Sequence, residues 1–79
     1  MTVLLFARAR DLIGCDRVSI ACPAPATVGE LRRQLIQQYP RLAGLAERSA
    51  FAVNDEFADD LMQIPSGAEV ALLPPVSGG

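Results

Sequence analysis

Apolar positions change their spacing several times along the chain, and each change predicts an element. The opening run "TVLLFAR" (Thr2 to Arg8) is nearly unbroken, as a strand covered on at least one face would be. "ARDLIG" then predicts a short turn or a single helical turn closing at Gly14. "RVSIAC" (Arg17 to Cys22) alternates polar and apolar residues, the pattern of a half-exposed strand. The two runs together predict a hairpin with a long loop.

"PAPAT" breaks the second strand, and a helix starts at Thr27. Thr27-Val28-Gly29-Glu30 has the form of a capping box, in which Thr27 and Glu30 satisfy each other's orphan backbone donors. Val28, Leu31, Leu35 and Ile36 share one helical stripe, while Arg32, Arg33, Gln34 and Gln37 fall largely off it. Pro40 disfavours helix at Tyr39 and predicts the end there. "RLAGLAER" reads as a connector with room for one helical turn. "AFAVNDEFA" predicts strand, turn and strand, with Asn54 and Asp55 at the bend. "DDLMQIPSGA" is irregular, with a turn at Pro65-Ser66-Gly67. "EVALL" (Glu69 to Leu73) is the last strand, and regular pairing fails at Pro74 and Pro75, which have no N–H to give.

Strand, strand, helix, strand, strand, strand predicts a two-layer α+β fold: a mixed sheet of four to five strands packed on one main helix. Residues 1–73 form the domain and residues 74–79 a flexible, extended C-terminal tail. With 79 residues, 51% of them hydrophobic and 20% charged, the chain is one small globular domain. No apolar stretch approaches the ~20 residues of a membrane span, and no basic region precedes a long apolar core at the N-terminus. The expected location is therefore the cytoplasm, without membrane association. The net charge of −2 and the scattering of the arginines give no footprint for nucleic acid.

Absent residue types narrow the chemistry. Without His there is no imidazole base or imidazole metal ligand. Without Lys there is no Schiff base and no lysine acceptor on this chain. Cys15 and Cys22 are seven apart, which fits no metal or redox spacing, so both read as small, partly buried apolar residues in a reducing compartment. No metal site and no bound cofactor are expected.

The tail is where chemistry remains. Six residues span at most ~20 Å when extended. Pro74 and Pro75 favour polyproline II and send the tail away from the body. Gly78 and Gly79 have no Cβ, so surrounding walls can approach the backbone closely. The Gly79 α-carboxylate, ionised at neutral pH, is the one reactive group. It can attack the α-phosphate of ATP to give an acyl-adenylate, and a sulfur donor can then displace AMP to leave a C-terminal thiocarboxylate. The chain has neither a phosphate-cradling loop nor an acid–base pair to catalyse those steps itself.

"LLFARARDLIG" near the start, "AVNDEF" in the middle and "GAEVALLPPVSGG" at the end together resemble the small subunit of molybdopterin synthase, the MoaD family. The resemblance covers essentially the whole chain, and Pro-Pro-Val-Ser-Gly-Gly is its most specific part. It implies a ubiquitin-like β-grasp roll and a sulfur carrier in molybdenum-cofactor biosynthesis. It implies two partners. An E1-like adenylating enzyme (MoeB-like) would use ATP to activate Gly79. A large subunit (MoaE-like), in a heterotetramer of two small and two large subunits, would take the tail into a pocket. There two carriers in turn would supply the dithiolene sulfurs to cyclic pyranopterin monophosphate, the catalytic residues lying on the large subunit.

Carried over residue by residue, the resemblance makes Gly79 the sulfur-bearing residue and Gly78 the one that fits the narrowest point. Ser77 and Val76 would contact the channel, and Pro74 and Pro75 would set the exit angle. Phe6, Arg10, Phe57 and Leu73 would contribute to the docking face on both partners. The bland alternatives are core packing for Phe6, Phe57 and Leu73, and a solvated charge for Arg10. Where the family has Gly-Asp-Glu before the last strand, this chain has Gly67-Ala68-Glu69, which puts a polar contact at that turn in question. The rival functions are a ThiS-type or tRNA-thiolating carrier, a protein-conjugating modifier, and an inert β-grasp interaction module.

Overall fold

The computed structural model of the chain describes residues 1–22 and 26–75. In chain order the elements are β1 (Thr2–Leu5), α1 (Ala7–Ile13), β2 (Arg17–Ser19), β3 (Ala26–Thr27), α2 (Val28–Gln38), a 3₁₀ turn (Pro40–Leu42), α3 (Ala43–Ala46), β4 (Ala50–Val53), β5 (Glu56–Ala58), β6 (Gln63–Ile64) and β7 (Val70–Leu73). Five strands form one mixed sheet in the order β2-β1-β7-β4-β5, with β1 and β7 parallel and the other neighbours antiparallel. The last strand thus lies in the middle of the sheet.

Register decides which face is core. Val3, Val70 and Val53 lie side by side across three strands, as do Leu5, Leu72 and Phe51, and all six are buried. Val28, Leu31 and Leu35 of α2 are fully buried in the same cluster, so the stripe seen in the sequence is the face that meets the sheet. Ile36 is only partly buried and packs at its margin. Arg32 departs from expectation, for its side chain is 17% exposed and bonds inward.

The capping box forms as the sequence requires. The Thr27 hydroxyl accepts from the Glu30 N–H at 3.2 Å, and Glu30 Oε1 accepts from the Thr27 N–H at 3.1 Å. Thr27→Ala therefore lowers unfolding free energy by about 1 kcal/mol, measured by the denaturant midpoint. The helix ends at Gln38 with Tyr39 as its cap, one residue before Pro40.

Other boundaries differ from the sequence reading for identifiable reasons. The first strand stops at Leu5 rather than Arg8, because Ala7 takes a left-handed φ of 50° and turns the chain into α1. That helix runs seven residues, about two turns, before Gly14 closes it at φ 85°. The second strand stops at Ser19, although Ile20 still exchanges backbone bonds with Met1. The stretch after Pro40 forms a 3₁₀ turn and α3 in place of a loose connector. The irregular stretch contains β6, which pairs with β3 as a separate two-stranded ladder.

The hairpin at Asn54-Asp55 is as expected. Both residues have positive φ, 51° and 68°, as a two-residue type I′ turn needs. Asn54 also answers the question raised by Gly67-Ala68-Glu69. Its N–H donates to the Glu69 carbonyl, and its Oδ1 accepts from the Glu69 N–H at 3.0 Å. The turn before β7 is thus held through backbone atoms, and Ala68 packs against the core.

Candidate functional site

The site begins where the central strand ends. Leu73 pairs with Ala50 of β4, while Leu72 pairs with Leu5 of β1 on the other side, so β7 is clamped on both edges to its last turn. Pro74 follows, half-buried, and Pro75 is exposed. Neither proline can donate to a ladder, so the chain leaves the sheet at this point. The expected channel contacts Val76, Ser77 and Gly78 and the expected sulfur-bearing Gly79 lie outside the described residues.

Around this root, on the face opposite α2, Leu4 and Ala71 are half-buried, Ala52 is buried and Phe57 is exposed. Leu4, Ala71, Ala52 and Phe57 are aligned across β1, β7, β4 and β5, one residue out of phase with the buried rows. Leu73 and Ala50 continue the same face and are half-buried. Phe57 is 78% exposed, on the edge strand. Phe6 is 45% exposed and caps α1 one residue beyond the Leu5–Leu72 pair, beside the tail root. Neither phenylalanine is a core residue, so the bland reading fails for both. Arg10 is exposed on α1; the ion pairs among the described residues join Arg17 to Asp16 and Arg32 to Asp60.

The register thus brings Phe6 and Leu73 together at the root and places Phe57 two strands away on the same sheet. Arg10 stands apart on α1. Leu61, Met62 and Leu12 are also exposed, and no pattern in the sequence singled them out. Their exposure follows from loop and helix placement, which a window of residue types does not report.

Among the described residues no group of three His, Cys, Asp or Glu side chains is placed to hold a metal. No helix among them is long and apolar enough to cross a membrane. Cys22 is half-buried as expected, but Cys15 is exposed in the loop after α1; both are free thiols. A surface depression lined by Met1, Thr2, Cys22, Ile64 and Pro65 lies at the opposite end of β1 from the tail root. The arrangement is therefore a platform: an apolar sheet face beside the end of its central strand.

Comparison with known proteins gives this platform a context. The ThiS family model matches residues 3–79. The molybdopterin synthase sulfur carrier subunit of Dictyostelium discoideum is 40% identical over 80 residues, covering 98% of this chain and 93% of that protein. SAMP1 from Haloferax volcanii superposes with a TM-score of 0.83 at 31% identity, covering 100% of this chain and 98% of that one. Subunit 1 in the complex of subunits 1 and 2 of molybdopterin-converting factor from Helicobacter pylori matches at a TM-score of 0.67 and 29% identity. That match covers 99% of this chain and 96% of the other.

Proposed function

The chain belongs to the ThiS family, and from that membership we propose that it is the sulfur-carrier small subunit of a molybdopterin synthase. One observation carries the reading. In a chain similar over nearly its whole length to a named sulfur carrier, the sequence Pro-Pro-Val-Ser-Gly-Gly follows directly on the central strand, Val70–Leu73.

The proposed cycle follows from the chemistry of a carboxylate. A Gly79 oxygen attacks the α-phosphate of ATP in an E1-like (MoeB-like) enzyme, and pyrophosphate leaves. Hydrosulfide attacks the acyl carbon, the C–O bond to AMP breaks, AMP leaves, and the thiol proton is lost to give the thiocarboxylate. The tail then enters a MoaE-like large subunit, whose residues catalyse sulfur transfer to cyclic pyranopterin monophosphate. Two carriers supply the two dithiolene sulfurs, in keeping with two small and two large subunits per assembly. The Helicobacter complex of subunits 1 and 2 supports a partner subunit of this kind. The body supplies recognition and aim: Leu73 holds the root, Phe6 flanks it, and Phe57 extends the docking face.

The test is reconstitution. Thiocarboxylated chain, large subunit and cyclic pyranopterin monophosphate yield molybdopterin if the reading holds. A chain that is charged but instead sustains thiazole formation or tRNA thiolation, and yields no molybdopterin, contradicts it. Phe57→Ser leaves the fold intact, since the side chain is 78% exposed. It weakens docking on the large subunit by about tenfold or more, read by titration calorimetry.

A further inference from the structure

Leu61 is 86% exposed, more than any other large apolar side chain among the described residues. The loop that carries it is nevertheless firmly bonded. Asp59 Oδ1 accepts from the Leu61 N–H at 2.9 Å and from the Met62 N–H at 3.1 Å. The Asp60 carbonyl accepts from the Gly29 N–H and the Met62 carbonyl from the Val28 N–H, both at 2.9 Å. Asp60 Oδ1 accepts from Arg32 Nη2 at 2.9 Å. Gly29 suits this approach, because a Cβ there would lie 3.2 Å from both Cβ and the carbonyl oxygen of Asp60, so the loop would have to give by a few tenths of an ångström. All of these bonds hold the backbone or the aspartates, and none uses the Leu61 side chain.

An apolar side chain held out on a fixed loop is a pre-ordered anchor. Burying a leucine on a partner is worth about 1.5–3 kcal/mol. An already ordered loop loses little further freedom when it docks. Phe57, also exposed, lies four residues upstream, and Met62 is 36% exposed next to it. Residues 55–60 and the start of α2 carry five exposed carboxylates, Glu30, Asp55, Glu56, Asp59 and Asp60, against Arg32 and Arg33, and Arg32 is tied to Asp60. The complementary surface is an apolar pocket with a basic rim. β5 is two strands from β7, roughly 10 Å at ~4.8 Å per strand. A protein that grips the tail therefore also reaches this edge.

We propose that Leu61, on its bonded loop, is the docking anchor for the adenylating enzyme that activates Gly79. This rests on the carrier function proposed above and adds a contact that distinguishes one partner from the other. The activating enzyme must bind and release the chain in every cycle. An acid-rimmed anchor suits such an encounter, because opposite charge raises the on-rate more than it lengthens the residence time. A lasting subunit interface favours charge-depleted apolar surface instead, such as the Leu4–Ala71–Ala52 face.

The experiment is steady-state adenylation of the full chain, followed by ATP–pyrophosphate exchange, beside calorimetry with the large subunit. Leu61→Ser raises the KM for the carrier about tenfold with kcat unchanged, the mark of lost uniform binding. Leu61→Met restores it. Glu56→Arg lowers kcat/KM and flattens its dependence on salt. Affinity for the large subunit and the thermal midpoint stay at wild-type values in each. An unchanged KM in Leu61→Ser overturns the proposal, and so does a loss that falls on large-subunit affinity instead. A wild-type chain that is never adenylated removes the carrier function itself, and that outcome is distinct from both.

Discussion

Deleting Gly79, or adding one alanine after it, abolishes charging of the chain and leaves its folding stability unchanged. The two halves of this prediction have separate causes. The ladder ends at Leu73, and the buried hydrophobic residues among those described run from Val3 to Leu72, so neither the described ladder nor the described core draws on the last residue. Adenylation, by contrast, needs the carboxylate within about 3–3.5 Å of the α-phosphorus, and a misplacement of roughly 1 Å can cost about 100-fold in rate. One residue more or less moves the carboxylate by about 3.3 Å, several times that tolerance. The adduct is read by intact mass and the fold by denaturant titration. An extended chain that is still charged at the wild-type rate would falsify the assignment of Gly79 as the reacting residue.

Arg32→Met produces the largest loss of stability expected from a single polar residue of the helix. Arg32 Nη1 donates to the Ala46 carbonyl and, at 2.7 Å, to the Ser49 carbonyl, while Nη2 reaches Asp60 Oδ1 at 2.9 Å. Its guanidinium lies 5.0 Å from the centroid of the buried Phe51 ring. The ion pair itself contributes little, since Asp60 is 55% exposed and water screens it. The carbonyls matter more, because two acceptors at the end of α3 and the start of β4 lose their donor, at about 1–3 kcal/mol each when buried. Nε is buried without a partner and offsets a part of this gain. A net loss of about 3 kcal/mol lowers the thermal midpoint by roughly 10–25 °C in a domain this small. Arg32→Lys recovers little of it, because a single ammonium cannot match the planar fork that meets both carbonyls and Asp60. A midpoint for Arg32→Met within about 3 °C of wild type would show that water replaces these bonds freely.

Arg32 also shows why some of the fold was legible in the sequence and some was not. Features built by neighbouring residues were readable. Thr27 and Glu30 cap a helix across three positions, Asn54-Asp55 turns a hairpin, and Pro74-Pro75 ends a ladder. Arg32 was legible as polar, but its partners lie 14, 17 and 28 residues away, so its inward course was not. The β3–β6 ladder escaped for the same reason, since two-residue strands carry no alternation to read. At Ala7 the residue type misleads. Alanine favours right-handed backbone, and only the surrounding sheet and helix hold it at φ 50°.

The site divides in the same way. The end of the ladder at Pro74 and Pro75 was legible from residue type alone, while Gly79, expected from the same continuous motif, lies outside the described residues. Phe6 and Phe57 sit in apolar strand contexts that read equally well as core, and only the register places them on the open face. Leu61 gave no signal, because its exposure is set by Asp59 and by bonds to the start of α2. The sequence implies a partly buried Cys15, but it is exposed in the loop that follows α1, a seven-residue helix where the pattern implied a single turn.

One measurement tests the carrier chemistry most directly: the intact mass of the wild-type chain before and after incubation with an E1-like adenylating enzyme, ATP and a sulfide source. A gain equal to one sulfur replacing one oxygen, absent when ATP is omitted and absent when Gly79 is deleted, is the expected result. An unchanged mass, with an enzyme preparation that charges another carrier in parallel, would contradict a sulfur-carrying role for Gly79.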